Sequence, residues 1–279
     1  MSSHLLAARV KTGLLWAAAV AVVVVYGFPF VYLVLTSFKP PVDAIAVPPT
    51  VLPQRFSLDN YLAAVNRPGV TASFINSVST AVIATLLSMA LAIPAAWGIT
   101  RYRSRTGRAL MAGSLLVRMA PAVAVGIPLV TILGAVGLTD TPTGLALAQT
   151  TVALPLSIWL LTSFFEGVPR EIEEAALVDG CGRFAALLRV ILPVVSGGVA
   201  VTAIFAFLAS WNEFLFALLI TSVRAQTTPI AIANFQSQFG LDWGPMTALA
   251  TLYSAPAVVL TLLLQRRIVA GLSLGAVKG

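Results

Sequence analysis

The chain has only ten carboxylates in 279 residues, and four of them fall in one short stretch: Glu171, Glu173, Glu174 and Asp179. Acids at this spacing suit either acid–base work or the presentation of charge to a partner. The residues that would complete a catalytic or metal site are missing. The only histidine is His4 and the only cysteine is Cys181, so no Cys/His metal cluster can form and no intrachain disulfide exists. A membrane enzyme would need an acid/base or nucleophile pair inside its apolar runs. Those runs hold no histidine and almost no Asp or Glu. Two isolated charged groups stand within them, Arg118 and Glu213. Two readings remain for the acidic stretch: presentation to a partner, or an ordinary solvated amphipathic loop.

The rest of the chain must position that stretch. Its residues are 58% hydrophobic and only 10% charged, whereas a soluble domain carries about a quarter charged residues. Six apolar runs are long enough for helices crossing a ~30 Å hydrocarbon core: 13–38, 72–100, 109–138, 144–165, 190–220 and 246–264. The first is too long for a signal-peptide core and is expected to be a retained helix. The fold class expected is therefore an all-α membrane protein with six transmembrane helices.

The net charge of +7 follows the same topology. With the N-terminus inside, twelve basic residues fall on the cytosolic side: Arg9, Lys11, Arg101, Arg103, Arg105, Arg108, Arg170, Arg183, Arg189, Arg266, Arg267 and Lys278. Four fall outside: Lys39, Arg55, Arg67 and Arg224. This is the positive-inside pattern, and it predicts both termini in the cytosol. The basic excess thus records topology and gives no reason to expect nucleic acid. The expected division is a cytosolic N-terminus over 1–12, a permeation domain over 13–266 and a cytosolic tail over 267–279. Within the domain lie external loops at 39–71 and 222–245 and a polar cytosolic loop at 167–192.

In that loop Pro169 is placed to start a helix, and Glu171, Glu173 and Glu174 sit in its opening turns, where the helix dipole favours anions. Ala175 and Ala176 are expected to give it one small, closely approachable face. Gly180 ends it, since glycine accepts the left-handed conformation. Pro193 follows near the start of the fifth run. Elsewhere, Ser57 is expected to cap a short helix in the first external loop, with Tyr61 anchoring it at headgroup depth. The second external loop interleaves Asn234, Gln236 and Gln238 with Phe235 and Trp243, a mixture suited to a sugar or a partner protein. Arg118, Gln149, Asn212 and Glu213 are candidates for lining a path, because charged and polar groups at membrane depth should face protein or water. Trp211 could stack on a sugar ring, and Pro121 and Pro128 could kink the third run.

The loop also carries a spaced motif. Glu174-Ala-Ala, three residues, Gly180, nine residues and Val190-Ile-Leu-Pro193 resembles the EAA loop of binding-protein-dependent ABC importer permeases, with Val190 in place of isoleucine. The resemblance covers nearly the whole chain and points to the MalG-type carbohydrate permeases. It includes Ser37-Phe-Lys39, Asn60-Tyr61, Phe74-Ile-Asn76-Ser77, Trp211-Asn-Glu-Phe214 and the ending Gly271-Leu-Ser-Leu-Gly-Ala-Val-Lys-Gly279. Trp97-Gly98 and Ser196-Gly197-Gly198 depart from the family pattern without touching the EAA spacing.

The resemblance implies a type I importer permease in the bacterial inner membrane that passes a sugar or sugar-derived solute by alternating access. It implies a second, MalF-type permease, two ATPase subunits, an extracytoplasmic solute-binding protein or lipoprotein, and no catalytic site on this chain. Coupling to the ATPase would rest on Glu173, Glu174, Ala175, Ala176, Asp179, Gly180 and Pro193, with a second contact at Gly275 and Lys278. The binding protein would meet Asn234, Phe235, Gln236 and Gln238. ATP and Mg would sit on the partner chains, and no cofactor is expected here. The residues agree on that point: none of Lys11, Lys39 and Lys278 completes the G-x-x-x-x-G-K-[ST] loop that cradles nucleotide phosphates. The alternative is a secondary transporter driven by an ion gradient. It would need buried carboxylates in its spans, and only Glu213 could serve.

Overall fold

The computed structural model describes residues 2–102, 105–237 and 240–276. They form two compact units, one of 1–68 with 234–254 and one of 69–233 with 255–279.

In the first unit α1 (Ser2–Ser37) contains a 27-residue apolar stretch, Lys11–Ser37, with none of its most apolar window buried. A helix apolar on all sides belongs in hydrocarbon or against other apolar helices. Its end is tied in a polar knot. Lys39, an external charge by sequence, is only 1% exposed. Its Nζ donates to the Thr50 carbonyl at 2.6 Å and lies 4.7 Å above the Tyr32 ring. The short helix α2 (Pro41–Ala44) follows, and then α3 (Asp59–Asn66). The residue at the cap position of α3 is Leu58, not Ser57, and it makes no side-chain cap; Ser57 Oγ instead accepts the Asp59 N–H at 3.0 Å in the turn that leads in. Buried Asn60 donates to the carbonyls of Ser37 and Lys39 at 3.1 and 2.6 Å. Tyr61 is tied to the end of α1: its hydroxyl bonds Ser37 Oγ at 2.7 Å and its ring packs on Phe38. A two-residue pair, β1 (Gln236–Ser237) with β2 (Gly240–Leu241), leads into α14 (Trp243–Ala276). Gly244 sits where a Cβ would strike the Asn60 amide.

The second unit is built on α4 (Val70–Tyr102) and α7 (Pro142–Glu166). The buried stripe of α4 runs Ser77, Ala81, Ala84, Ser88, Ala92, Ala96 and Thr100, almost all small. Small residues every three or four positions let helix backbones approach closely in a membrane, where packing replaces the hydrophobic effect. Met89, Ala92 and Ala96 of α4 meet Leu161 and Phe165 of α7 and then Leu187 and Ile191.

Among the described residues four helices are long and apolar enough to cross a membrane, and a bent pair would make five. Two expected spans are not single helices. The run 109–138 is divided into α5 (Arg105–Met119) and α6 (Ala122–Ala135). The break falls at Ala120, because the residue before Pro121 is pushed out of the helical region. The run 190–220 is cut twice. The stretch from α9 (Arg183–Ala186) through a π turn (Leu187–Ile191) and α10 (Leu192–Val194) meets α11 (Ser196–Trp211) at 87°. Pro193 has no N–H and its ring crowds the carbonyl four residues earlier, which favours both the π turn and the bend. After Asn212 to Phe214 the chain restarts as α12 (Leu215–Ile220), followed by α13 (Thr228–Ala233).

The turn between α6 and α7 is fixed by one carboxylate. Asp140, with φ of 53°, accepts the backbone N–H groups of Ser222, Val223, Arg224 and Ala225 at 3.0–3.2 Å and the Ser222 hydroxyl at 3.0 Å. Partial burial pushes its pKa up, but the four N–H groups outweigh that and hold it well below the usual carboxylate range. A depressed folded value means stabilisation that is complete above the ordinary Asp value of about 3.9 and fades as pH falls toward the folded one. Asp140→Ala is therefore expected to cost about 1–2 kcal/mol at pH 7, after screening at this half-exposed site. Thermal unfolding of the detergent-solubilised chain should show that gap closing below pH 4.

Candidate functional site

The acidic stretch forms α8 (Arg170–Val178). Pro169, with φ of −55°, precedes its first residue, and Glu171 and Glu173 occupy the first turn. Its end is a complete Schellman motif. Gly180 has φ of +85°, its N–H donates to Leu177 O at 3.1 Å, and the Cys181 N–H donates to Ala176 O at 3.0 Å. The start, charge placement and stop thus follow the sequence expectation.

The orientation of α8 does not. Ala175 and Ala176 do not share a face, because successive helical residues point about 100° apart. Ala176 is buried, whereas Glu174 and Ala175 are exposed, as are Glu171, Asp179 and Gly180. Beside them stand two large apolar residues that sequence reasoning passed over, Val178 at 87% and Phe184 at 64% exposure. Their signal was available, since an apolar residue on each side of the Asp179-Gly180 stop has no helix of its own to cover it. The outward face is thus an acidic and apolar knob. Pro193 is exposed as well, at the elbow of the 87° bend.

Holding α8 in place is the last turn of α4, whose Arg101 reads in sequence as a topology anchor or as a contact for an acidic partner surface. Arg101 Nε lies 2.6 Å from Glu173 Oε2, with side-chain exposures of 10% and 12%. The angle is outside hydrogen-bond geometry, so the tie is a shielded charge pair. Arg101 also donates to Val168 O at 3.3 Å, and Arg170 donates back to Arg101 O at 3.1 Å. Arg183 donates to the Tyr102 hydroxyl at 2.7 Å. A cleft of about 210 Å³ opens here, bounded by Trp97, Tyr102, Glu173, Glu174 and Arg183. A larger one of about 800 Å³ lies against Met111, Thr162, Glu166 and Arg170.

Three of the four path candidates lie together, and Glu213 shares a side-chain hydrogen bond with Gln149. Gln149 is buried and its amide oxygen accepts the Ser210 hydroxyl in a short hydrogen bond. Glu213 accepts the N–H groups of Phe216 and Ala217 at 2.8 and 3.2 Å. It thereby caps the restarted helix α12, the role a carboxylate suits at an N-terminus. Asn212 is exposed at the same break. Arg118 stands apart from this cluster, exposed in the last turn of α5, with no ion pair among the described residues. Trp211 is not free to stack on a sugar, being packed between Phe74 and Phe207 at centroid distances of 5.8 and 5.4 Å.

Of the second external loop, Phe235 is 2% exposed beneath the Arg67 guanidinium at 4.2 Å, so it packs within its own unit and is not presented to a partner. Arg67 also donates to Asn234 O at 2.8 Å. Asn234 and Gln236 are exposed. Gly275 falls within the last turns of α14, while Gln238 and Lys278 lie outside the described residues.

The architecture is that of an ABC importer permease. It matches a solved bacterial ABC transporter involved in the import of the acidic polysaccharide alginate with a TM-score of 0.77, covering 93% of this chain and 97% of that one. At 17% identity the likeness is one of fold. The chain belongs to the family of binding-protein-dependent transport system inner membrane components, which matches residues 84–273, and is a multi-pass inner-membrane protein. It is 37% identical over 268 residues to the trehalose transport system permease protein SugB of Mycobacterium tuberculosis, covering 95% of this chain and 97% of that one. It is 32% identical over 274 residues to the trehalose/maltose transport system permease protein MalG of Thermococcus litoralis, covering 96% and 98%.

Proposed function

We propose that the chain is the permease subunit of an ATP-driven importer for a sugar or sugar-derived solute, and that α8 docks on the ATPase. The observation that carries the docking is the exposed knob of Glu174, Ala175 and Val178, held rigidly from behind by the end of α4. Val178 at 87% and Phe184 at 64% exposure stand beside these acids, and an ATPase surface seated on α8 would cover them. The sugar class is supported by the trehalose and maltose named for the relatives. Both termini and α8 lie in the cytosol in this reading. A second, MalF-type permease completes the path, two ATPase subunits bind ATP and Mg, and an extracytoplasmic binding protein or lipoprotein delivers solute. This chain holds no cofactor and hydrolyses nothing. Asn234, Gln236 and Gln238 face the binding protein, and the segment around Gly275 and Lys278 reaches the ATPase.

Affinity purification of the tagged chain from its own cells tests this. The expected result is recovery of a second permease and an ATPase in stoichiometric amounts, with uptake of a sugar in proteoliposomes that requires ATP. Uptake by this chain alone, driven by an ion gradient, would overturn it.

A further inference from the structure

We propose that Arg101 is a positioning residue that makes α8 and the second long span, α4, one mechanical piece. The inference rests on the docking role of α8 argued above and adds where its movement goes. Covalently, α8 is joined on both sides by pliable links: Gly167-Val168-Pro169 before it and Asp179 to Gly182 after it, with glycines at 167, 180 and 182. Through those links alone, a push on the knob would tilt α8 without moving any span.

The non-covalent ties prevent that. Val168 before the helix, Arg170 and Glu173 within it and Arg183 after it all contact the last two residues of α4, Arg101 and Tyr102. Three of the four ties run through Arg101. The charge pair to Glu173 is shielded, so it is screened less than an exposed pair. Above it, the small-residue stripe of α4 fits closely against α7 and α11, and a close-packed stripe moves as a body rather than deforming. Movement of α8 is thereby passed to α4 and onward. Glu173 serves this inward tie, whereas Glu174, one residue away, faces out.

The test uses the whole complex in proteoliposomes. It also uses a spin label on Cys181, the only cysteine, which lies at the end of α8 and is half-buried. With Arg101→Gln the complex should retain its ATPase, while solute moved per ATP hydrolysed falls at least about tenfold. The label at Cys181 should become more mobile. Glu173→Gln should give the same change in label mobility. The swapped pair, Arg101→Glu with Glu173→Arg, should restore both readouts to within about threefold of the original. An unchanged label spectrum and transport ratio in Arg101→Gln would overturn the inference, as would a swapped pair no better than either single change. Retention of ATPase by the unaltered chain tests the docking reading separately. The label reports the tie even if no ATPase is bound.

Discussion

Glu174→Lys is expected to abolish ATP-dependent uptake, or to reduce it at least about thirtyfold, while leaving the chain folded and inserted. Glu174 is exposed on α8 and has no ion pair among the described residues, so its removal takes nothing from the chain's own stability. Against an ATPase surface the change is large. Removing one partner of a buried interface charge pair costs about 2–5 kcal/mol and reversing its charge at least as much, and about 1.4 kcal/mol is a factor of ten. Affinity recovery of the ATPase and uptake by the reconstituted complex both measure it. Undiminished uptake would remove Glu174 from the interface. Glu173→Lys makes a useful contrast, because it places two cations together in the shielded site beside Arg101. It should lower thermal stability as well, which Glu174→Lys should not.

Gly144→Ala is expected to be the most damaging small change in the fold, at about 2–3 kcal/mol. Gly144 lies in the first turn of α7, capped by Thr141, whose hydroxyl accepts the Gly144 N–H at 3.0 Å and donates to Leu138 O at 2.7 Å. A Cβ at 144 would run into that same Leu138 carbonyl oxygen. Backbone cannot step aside as a side-chain tip can, so the cost falls at the upper end of the overpacking range of about 1–3 kcal/mol. Gly197→Ala in α11 is the control. A Cβ there meets nothing within 4 Å, and replacing a helical glycine with alanine gains about 0.5–1 kcal/mol. Thermal unfolding in detergent should separate the two variants in opposite directions, and a Gly144→Ala chain as stable as the original would contradict the geometry.

Local rules were enough for α8. Pro169 at its start, acids in its first turn and Gly180 at its stop act through bonds only a few residues long, so they could be read directly. The apolar runs likewise announced a helical membrane chain, because a bilayer demands about twenty apolar residues per crossing. The breaks were partly legible. Pro121 and Pro193 marked where helices would fail, but a hydropathy run passes straight through them, since apolar character says nothing of backbone direction. Hence the run 190–220 read as one span while the chain turns by 87° inside it.

Rotation about each helix axis was not legible at all. Whether Ala175 or Ala176 faces outward, whether Phe235 meets a partner or its own core, and whether Arg101 only sets topology or also seats α8 are questions of phase. The sequence by itself determined that this is a membrane chain presenting one acidic helical turn, because composition and short-range capping suffice for that. Only the tertiary structure decided that Glu173 points in to Arg101 and Glu174 points out. The two differ by a single residue and a rotation of about 100°, and that rotation is set by contacts some seventy residues away along the chain.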